Sequence, residues 1–122
     1  MFNKAVSKKK SGNVVPINTL IGEGSKFEGN IYINGALKVD GEVVGDISSA
    51  GDVIIGETSY ITGNITCQNI LISGTVTGNI SASGQLSLSS TAMTKGELIA
   101  GSLIIDEGAE FTGNCQTLDK NS

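Results

Sequence analysis

The sequence predicts an all-β protein, a small single-stranded β-helix (β-solenoid) of about six turns. Three observations carry that reading: a glycine-centred motif returns six times, apolar residues alternate between the copies, and helix-period stretches are absent. The copies are Phe27-Glu28-Gly29-Asn30-Ile31, Val43-Val44-Gly45-Asp46-Ile47, Ile61-Thr62-Gly63-Asn64-Ile65, Val76-Thr77-Gly78-Asn79-Ile80, Thr94-Lys95-Gly96-Glu97-Leu98 and Phe111-Thr112-Gly113-Asn114-Cys115. Their glycines lie 15 to 18 residues apart. A repeat that short cannot bury an apolar face alone, so the copies must stack.

Taken along the chain, the i, i+2 pairs Ile31/Ile33, Leu37/Val39, Val53/Ile55, Ile70/Ile72, Leu86/Leu88 and Leu103/Ile105 each read as one strand. Alternation puts both members on one face, with Tyr32, Lys38 or Ser87 pointing outward between them. Val, Ile and Thr fill many of these positions and suit a pleated surface. Corners such as Asn34-Gly35, Asp40-Gly41, Ala50-Gly51-Asp52 and Ser83-Gly84 leave two or three short strands per copy. Such strands are too short for a meander of hairpins and fit one coil, each pairing with the strand a turn above, ~4.8 Å away. Gly29, Gly45, Gly63, Gly78, Gly96 and Gly113 mark one recurring corner, where glycine permits φ > 0 or a close approach of backbones. The residue that follows (Asn30, Asp46, Asn64, Asn79, Glu97, Asn114) invites a stack of side-chain amides hydrogen-bonded along the axis. Ordinary turns also favour Gly and Asn, but six recurrences at a near-constant period point to the coil.

The 122 residues make one domain, with a basic tail over 1–19, the β-helix over 20–115 and a short polar tail over 116–122. Gly is 17 of 122, twice the usual ~7%, as a chain with many corners requires. Lys4, Lys8, Lys9 and Lys10 make the first segment +4, whereas the repeats set three lysines against eleven carboxylates, a net −8. A basic tail on an acidic rod argues against nucleic-acid binding. The chain has no Arg, His or Trp. It therefore lacks the bidentate phosphate clamp and the commonest acid/base group and metal ligand. No catalytic, cofactor or metal residues are expected, and the protein reads as a non-enzyme. Cys67 and Cys115 fall where other copies hold Ile, Leu or Ala, so both are expected inside. About three turns, roughly 14 Å, separate them, which is beyond disulfide reach. Two buried thiols and a reducing compartment follow.

A β-helix leaves both ends open, and each end turn is a template for another chain unless it is blocked. Natural solenoids carry polar capping elements. No amphipathic capping helix is visible here, so Ile21 and Phe27 at the near end and Leu103, Ile105 and Phe111 at the far end would leave apolar surface exposed. End-to-end polymerisation through those five residues is the expectation. The alternative is a monomer capped by its own tails.

With its Gly-Asn/Asp-Ile repeats, uncapped layout and basic tail, the chain resembles the bactofilins, bacterial polymer-forming cytoskeletal proteins. The resemblance covers nearly the whole chain. It implies a right-handed β-helix and nucleotide-independent, non-polar filaments in which like ends meet. An aromatic residue that seals one subunit junction in that family matches Phe111. The family's role implies positioning of cell-envelope or cell-shape machinery, with cell-envelope proteins as candidate partners beside the chain itself. One departure is Thr94, which replaces an apolar residue and predicts a local irregularity in the fifth copy.

The tail, with Met1 and Phe2 at its tip and Lys4, Lys8, Lys9 and Lys10 behind, is too short and polar to span a bilayer. It suits an anionic membrane surface, where each lysine contributes ~1 kcal/mol. A filament displaying many tails multiplies such weak sites. The site expected for the protein is therefore cytoplasmic, at the inner face of the cell membrane, since no signal-peptide run precedes the repeats. Rival classes lack their residues. Hexapeptide acyltransferases need a catalytic His and a strict six-residue period. Gly22-Glu23-Gly24-Ser25-Lys26 lacks the spacing of a phosphate loop. An ice- or ligand-binding solenoid needs an unbroken outward Thr ladder, but Glu28, Val44 and Lys95 interrupt Thr62, Thr77 and Thr112.

Overall fold

The computed structural model describes residues 17–118, and its regular elements are all strands. They are β1 (Ile17–Ile21), β2 (Lys26–Glu28), β3 (Ile31–Ile33), β4 (Ala36–Val39), β5 (Glu42–Val44), β6 (Ile47–Ser49) and β7 (Asp52–Ile55). There follow β8 (Tyr60–Thr62), β9 (Ile65–Cys67), β10 (Asn69–Ile72), β11 (Thr75–Thr77), β12 (Ile80–Leu88), β13 (Met93–Ile105) and β14 (Glu110–Thr117).

Each strand pairs in parallel with its counterpart one turn on, so the chain coils through three faces. The first face stacks β1, β4, β7, β10 and the latter parts of β12 and β13. The second stacks β2, β5, β8, β11 and the starts of β13 and β14. The third stacks β3, β6, β9, the start of β12, the middle of β13 and the end of β14. Six turns result, and the β-solenoid fold expected from the repeat is the fold observed. The strands begin at Ile17 and end at Thr117, slightly outside the 20–115 expected, because Ile17 already pairs with Ala36 and Thr117 with Ala100.

Register sets the alternating residues into columns. Leu37, Val53, Ile70 and Leu86 run up the first face, and Val43, Ile61 and Val76 up the second. Ile47, Ile65, Ile80 and Leu98 run up the third. All of these are buried and meet as one core. Fully burying each such side chain stabilises the coil by ~1.5–3 kcal/mol.

The six corner glycines have φ between 130° and 145°. From Gly45 onward, a Cβ would fall on the carbonyl oxygen of the corner glycine one turn below. Two constraints therefore coincide at that corner, a backbone region closed to other residues and no room for a side chain. The neighbouring column is not a ladder of amides bonding one another. Each side-chain oxygen instead accepts from the backbone N–H one turn up: Asn30 Oδ1 from Asp46 (3.2 Å), Asp46 Oδ1 from Asn64 (3.0 Å), Asn64 Oδ1 from Asn79 (3.1 Å) and Asn79 Oδ1 from Glu97 (3.1 Å). Only an acceptor is needed, which explains why Asp46 serves as well as Asn.

Two expectations need correcting. Thr94 brings no irregularity: it is buried and in register with Val76 below and Phe111 above. Its buried Oγ1 has no hydrogen-bond partner. The register shifts lie instead between Ile17 and Thr19 and between Ala82 and Gln85. Cys67 is buried, but Cys115 is exposed. It occupies the core column above Leu98, yet no turn lies over it. Burial, with the charge of Asp52 second, pushes the Cys67 thiol up to about 12.

Candidate functional site

The two end turns are where the coil stops short of satisfying itself. Strands β1, β2 and β3 have a neighbour on one side only, as do residues 102–105 of β13 and all of β14. Among the described residues nothing covers either edge, so each presents a row of unpaired backbone N–H and C=O groups.

The side chains of these turns differ from those of the middle. At the near end Ile21 is half-buried against the core and Phe27 is 38% exposed, while its counterparts Val43 and Ile61 are sealed. At the far end Leu103 and Phe111 are half-buried and Ile105 is 47% exposed, against none for Ile55 and Ile72 in the same column. The structure thus places all five residues predicted from the sequence on the terminal turns. Phe111 stands over the unpartnered hydroxyl of Thr94, and Ala109 and Cys115 share its turn. The rim of that turn carries Asp106, Glu107 and Glu110 with no lysine between 101 and 118. At the near end Lys26 pairs with Glu28 at 3.3 Å. The predicted membrane residues Met1, Phe2, Lys4, Lys8, Lys9 and Lys10 lie outside the described residues.

Among the described residues no group of three His, Cys, Asp or Glu converges as a metal site would. No helix there is long and apolar enough to cross a membrane. An apolar, hydrogen-bond-hungry cross-section at each end is suited to meeting another such cross-section. A family model for bactofilins, described as polymer-forming cytoskeletal, matches residues 19–116.

The chain belongs to the bactofilin family.

Two solved structures of Thermus thermophilus bactofilin are similar to it. One is the crystal structure of a phenylalanine-to-arginine mutant, with TM-score 0.69, 28% identity, and 72% of this chain and 98% of that one covered. The other is a cryo-EM reconstruction of double helical filaments, with TM-score 0.73, 27% identity, and 81% of this chain and 98% of that one covered. No curated protein sequence matches the chain. Bactofilins are a structural, polymer-forming family, and this one is therefore not an enzyme.

Sequence reasoning passed over one feature of this bactofilin. Ile54, Leu71 and Ile104 point outward between inward neighbours, and Leu71 and Ile104 are 42% and 48% exposed. The signal was present as three successive apolar residues, Val53-Ile54-Ile55, Ile70-Leu71-Ile72 and Leu103-Ile104-Ile105. Such runs read as strands covered on both sides.

Proposed function

We propose that this bactofilin is a scaffold subunit that polymerises through its two end turns, without nucleotide, into non-polar filaments. The uncovered terminal turns carry this reading: unpaired strand edges flank Phe27 and Ile21 at one end and Phe111, Leu103 and Ile105 at the other. Joining two ends extends each face as a continuous sheet and buries the apolar groups together, the same gains that stack the turns within one subunit. Like ends meet, so two kinds of junction alternate. The Thermus filaments are double helical, and we carry that two-stranded arrangement to this chain.

Phe111→Arg places a cation in the far junction, where desolvation makes an unpaired charge costly. It should abolish sedimentation of filaments while leaving the β circular dichroism unchanged; a variant that still pellets as wild type places Phe111 outside any junction. The tail is the second part of the proposal. Phe2 enters the membrane interface, Lys4, Lys8, Lys9 and Lys10 meet anionic headgroups, and avidity along the filament holds the polymer at the inner face of the cell membrane. There it would position cell-envelope or cell-shape machinery. Liposome pelleting compares the full chain with one starting at Ser11, and equal pelleting would sink the tether.

A further inference from the structure

The three faces of the rod are unequal. On the first face one outward column reads, from the near end, Leu20, Lys38, Ile54, Leu71, Ser87 and Ile104, each in register with the next. Leu20, Leu71 and Ile104 are 60%, 42% and 48% exposed. Beside it Asp52, Asn69 and Gln85 are tied to one another, Asn69 Nδ2 donating to Asp52 at 3.0 Å and Asn69 Oδ1 accepting from the Gln85 backbone at 2.8 Å. The only charged side chains pointing out of these strands are Lys38 and Asp52, and Lys38 already donates to Asp40 at 2.9 Å. The second face, by contrast, carries Lys26, Glu28, Glu42, Lys95 and Glu110. The third face carries no charge in its strands, but its outward column, Tyr32, Ser48, Thr66, Ser81, Ile99 and Gln116, is mostly polar. The first face thus combines little charge with the most apolar outward column, which suits it to meeting a second copy.

We infer that the first face is the surface through which two copies of this chain pair side by side, antiparallel, in the two-stranded filament. The proposal rests on the filament reading above and adds to it which face pairs and in which direction. The order of the column sets the direction of pairing. Over six rungs the sequence apolar, polar, apolar, apolar, polar, apolar reads the same in both directions. A two-fold axis across the face between the third and fourth rungs sets Leu20 against Ile104 of the second copy, Lys38 against Ser87, and Ile54 against Leu71. Every apolar residue then meets an apolar one. The long Lys38 stem faces the small Ser87, which with Leu71 and Gln85 lines a shallow groove on this face. Parallel pairing in register would instead set Lys38 against Lys38 in a desolvated seam. The antiparallel contact is isologous, the same patch used by both copies.

The area decides when this contact forms. Six rungs of four-residue strands make a face of roughly 29 by 13 Å, or roughly 400 Å² per copy, about half the ~800 Å² of a stable interface. An isolated pair therefore does not hold, whereas a filament repeats the contact at every subunit and gains avidity.

The test images filaments of the full chain by negative-stain electron microscopy, wild type beside Leu71→Asp. Leu71 points to solvent, so the substitution leaves the core intact, and filament formation itself reports the fold. The expected result is two-stranded wild-type filaments and single-stranded Leu71→Asp filaments. Two-stranded Leu71→Asp filaments, or single-stranded wild-type ones, would overturn the assignment while leaving polymerisation standing. A wild type that forms no filaments would overturn both readings. Direction is read separately, with Lys38→Cys and Ser87→Cys chains in a Cys115→Ser background and a short bismaleimide spacer. In mixed filaments the spacer should join a Lys38→Cys chain to a Ser87→Cys chain, and filaments of either variant alone should give no cross-linked dimer. Cross-links within filaments of the Lys38→Cys variant alone would exclude the antiparallel seam.

Discussion

Adding one methyl group at the corner column separates two costs that normally arrive together. Gly29 and Gly45 occupy the same corner in successive turns, with φ of 131° and 141°. An Ala at either is strained in its backbone by ~1–3 kcal/mol. At Gly29 the added Cβ meets nothing closer than Phe27 Cε1 at 3.7 Å, because no turn lies beneath. At Gly45 it falls on the Gly29 carbonyl oxygen and lies 2.6 Å from the carbon that bears it. Relief requires prising the turns apart, which strains the Gly29 N–H bond to Val44 and the Ile31 N–H bond to Asp46, both 2.9 Å. Overpacking of that kind adds ~1–3 kcal/mol. Gly45→Ala should therefore cost about 2–6 kcal/mol in all, against about 1–3 for Gly29→Ala. Urea unfolding of both variants in a Phe111→Arg background, diluted until sedimentation shows the remaining near-end pairs dissociated, measures this on single subunits. Equal losses at the two sites would refute the argument that close stacking, rather than φ alone, demands glycine here.

Three further outcomes are expected. Asp46→Ala removes the acceptor for the Asn64 N–H and should cost ~0.5–1.5 kcal/mol, whereas Asp46→Asn keeps the oxygen and should cost little; urea midpoints decide between them. The Cys67 thiol is raised from 9.0 to about 12 in the fold, so the unfolded chain loses that proton first. Stability should fall from about pH 9 towards about 12, and a Cys67→Ala chain should show a shallower fall in the same titration. Asp106, Glu107 and Glu110 repel one another across a junction of two far ends, so raising salt from ~20 to ~200 mM should lower the protein concentration at which filaments first sediment; an unchanged or higher onset would count against that junction.

Much of the fold was legible because period and alternation are set by the geometry of stacking. Each turn must place Leu37, Val53, Ile70 and Leu86 in one column and a glycine at one corner, and the sequence records both. The five end residues were legible for the same reason, since the first and last copies of a column have no neighbour. What escaped depended on covering and on atomic reach. Cys115 sits in a core column, but its position in the repeat does not say that the last turn lacks a lid. The side-chain oxygens of Asn30, Asp46, Asn64 and Asn79 reach the next backbone N–H, a choice of partner that composition does not specify. Leu71 and Ile104 were hidden by their apolar neighbours, because a run of three apolar residues does not say whether its outer member is covered.

The central claim, that the end turns make the polymer, is tested most directly by cryo-electron microscopy of the purified full chain with no nucleotide or metal added. Thin unbranched filaments with turns every ~4.8 Å and a longitudinal subunit spacing of roughly 29 Å, sheets running unbroken across the junctions and Phe111 inside one of them, are what the account predicts. Monodisperse single particles, or filaments in which Phe111 faces solvent, would contradict it.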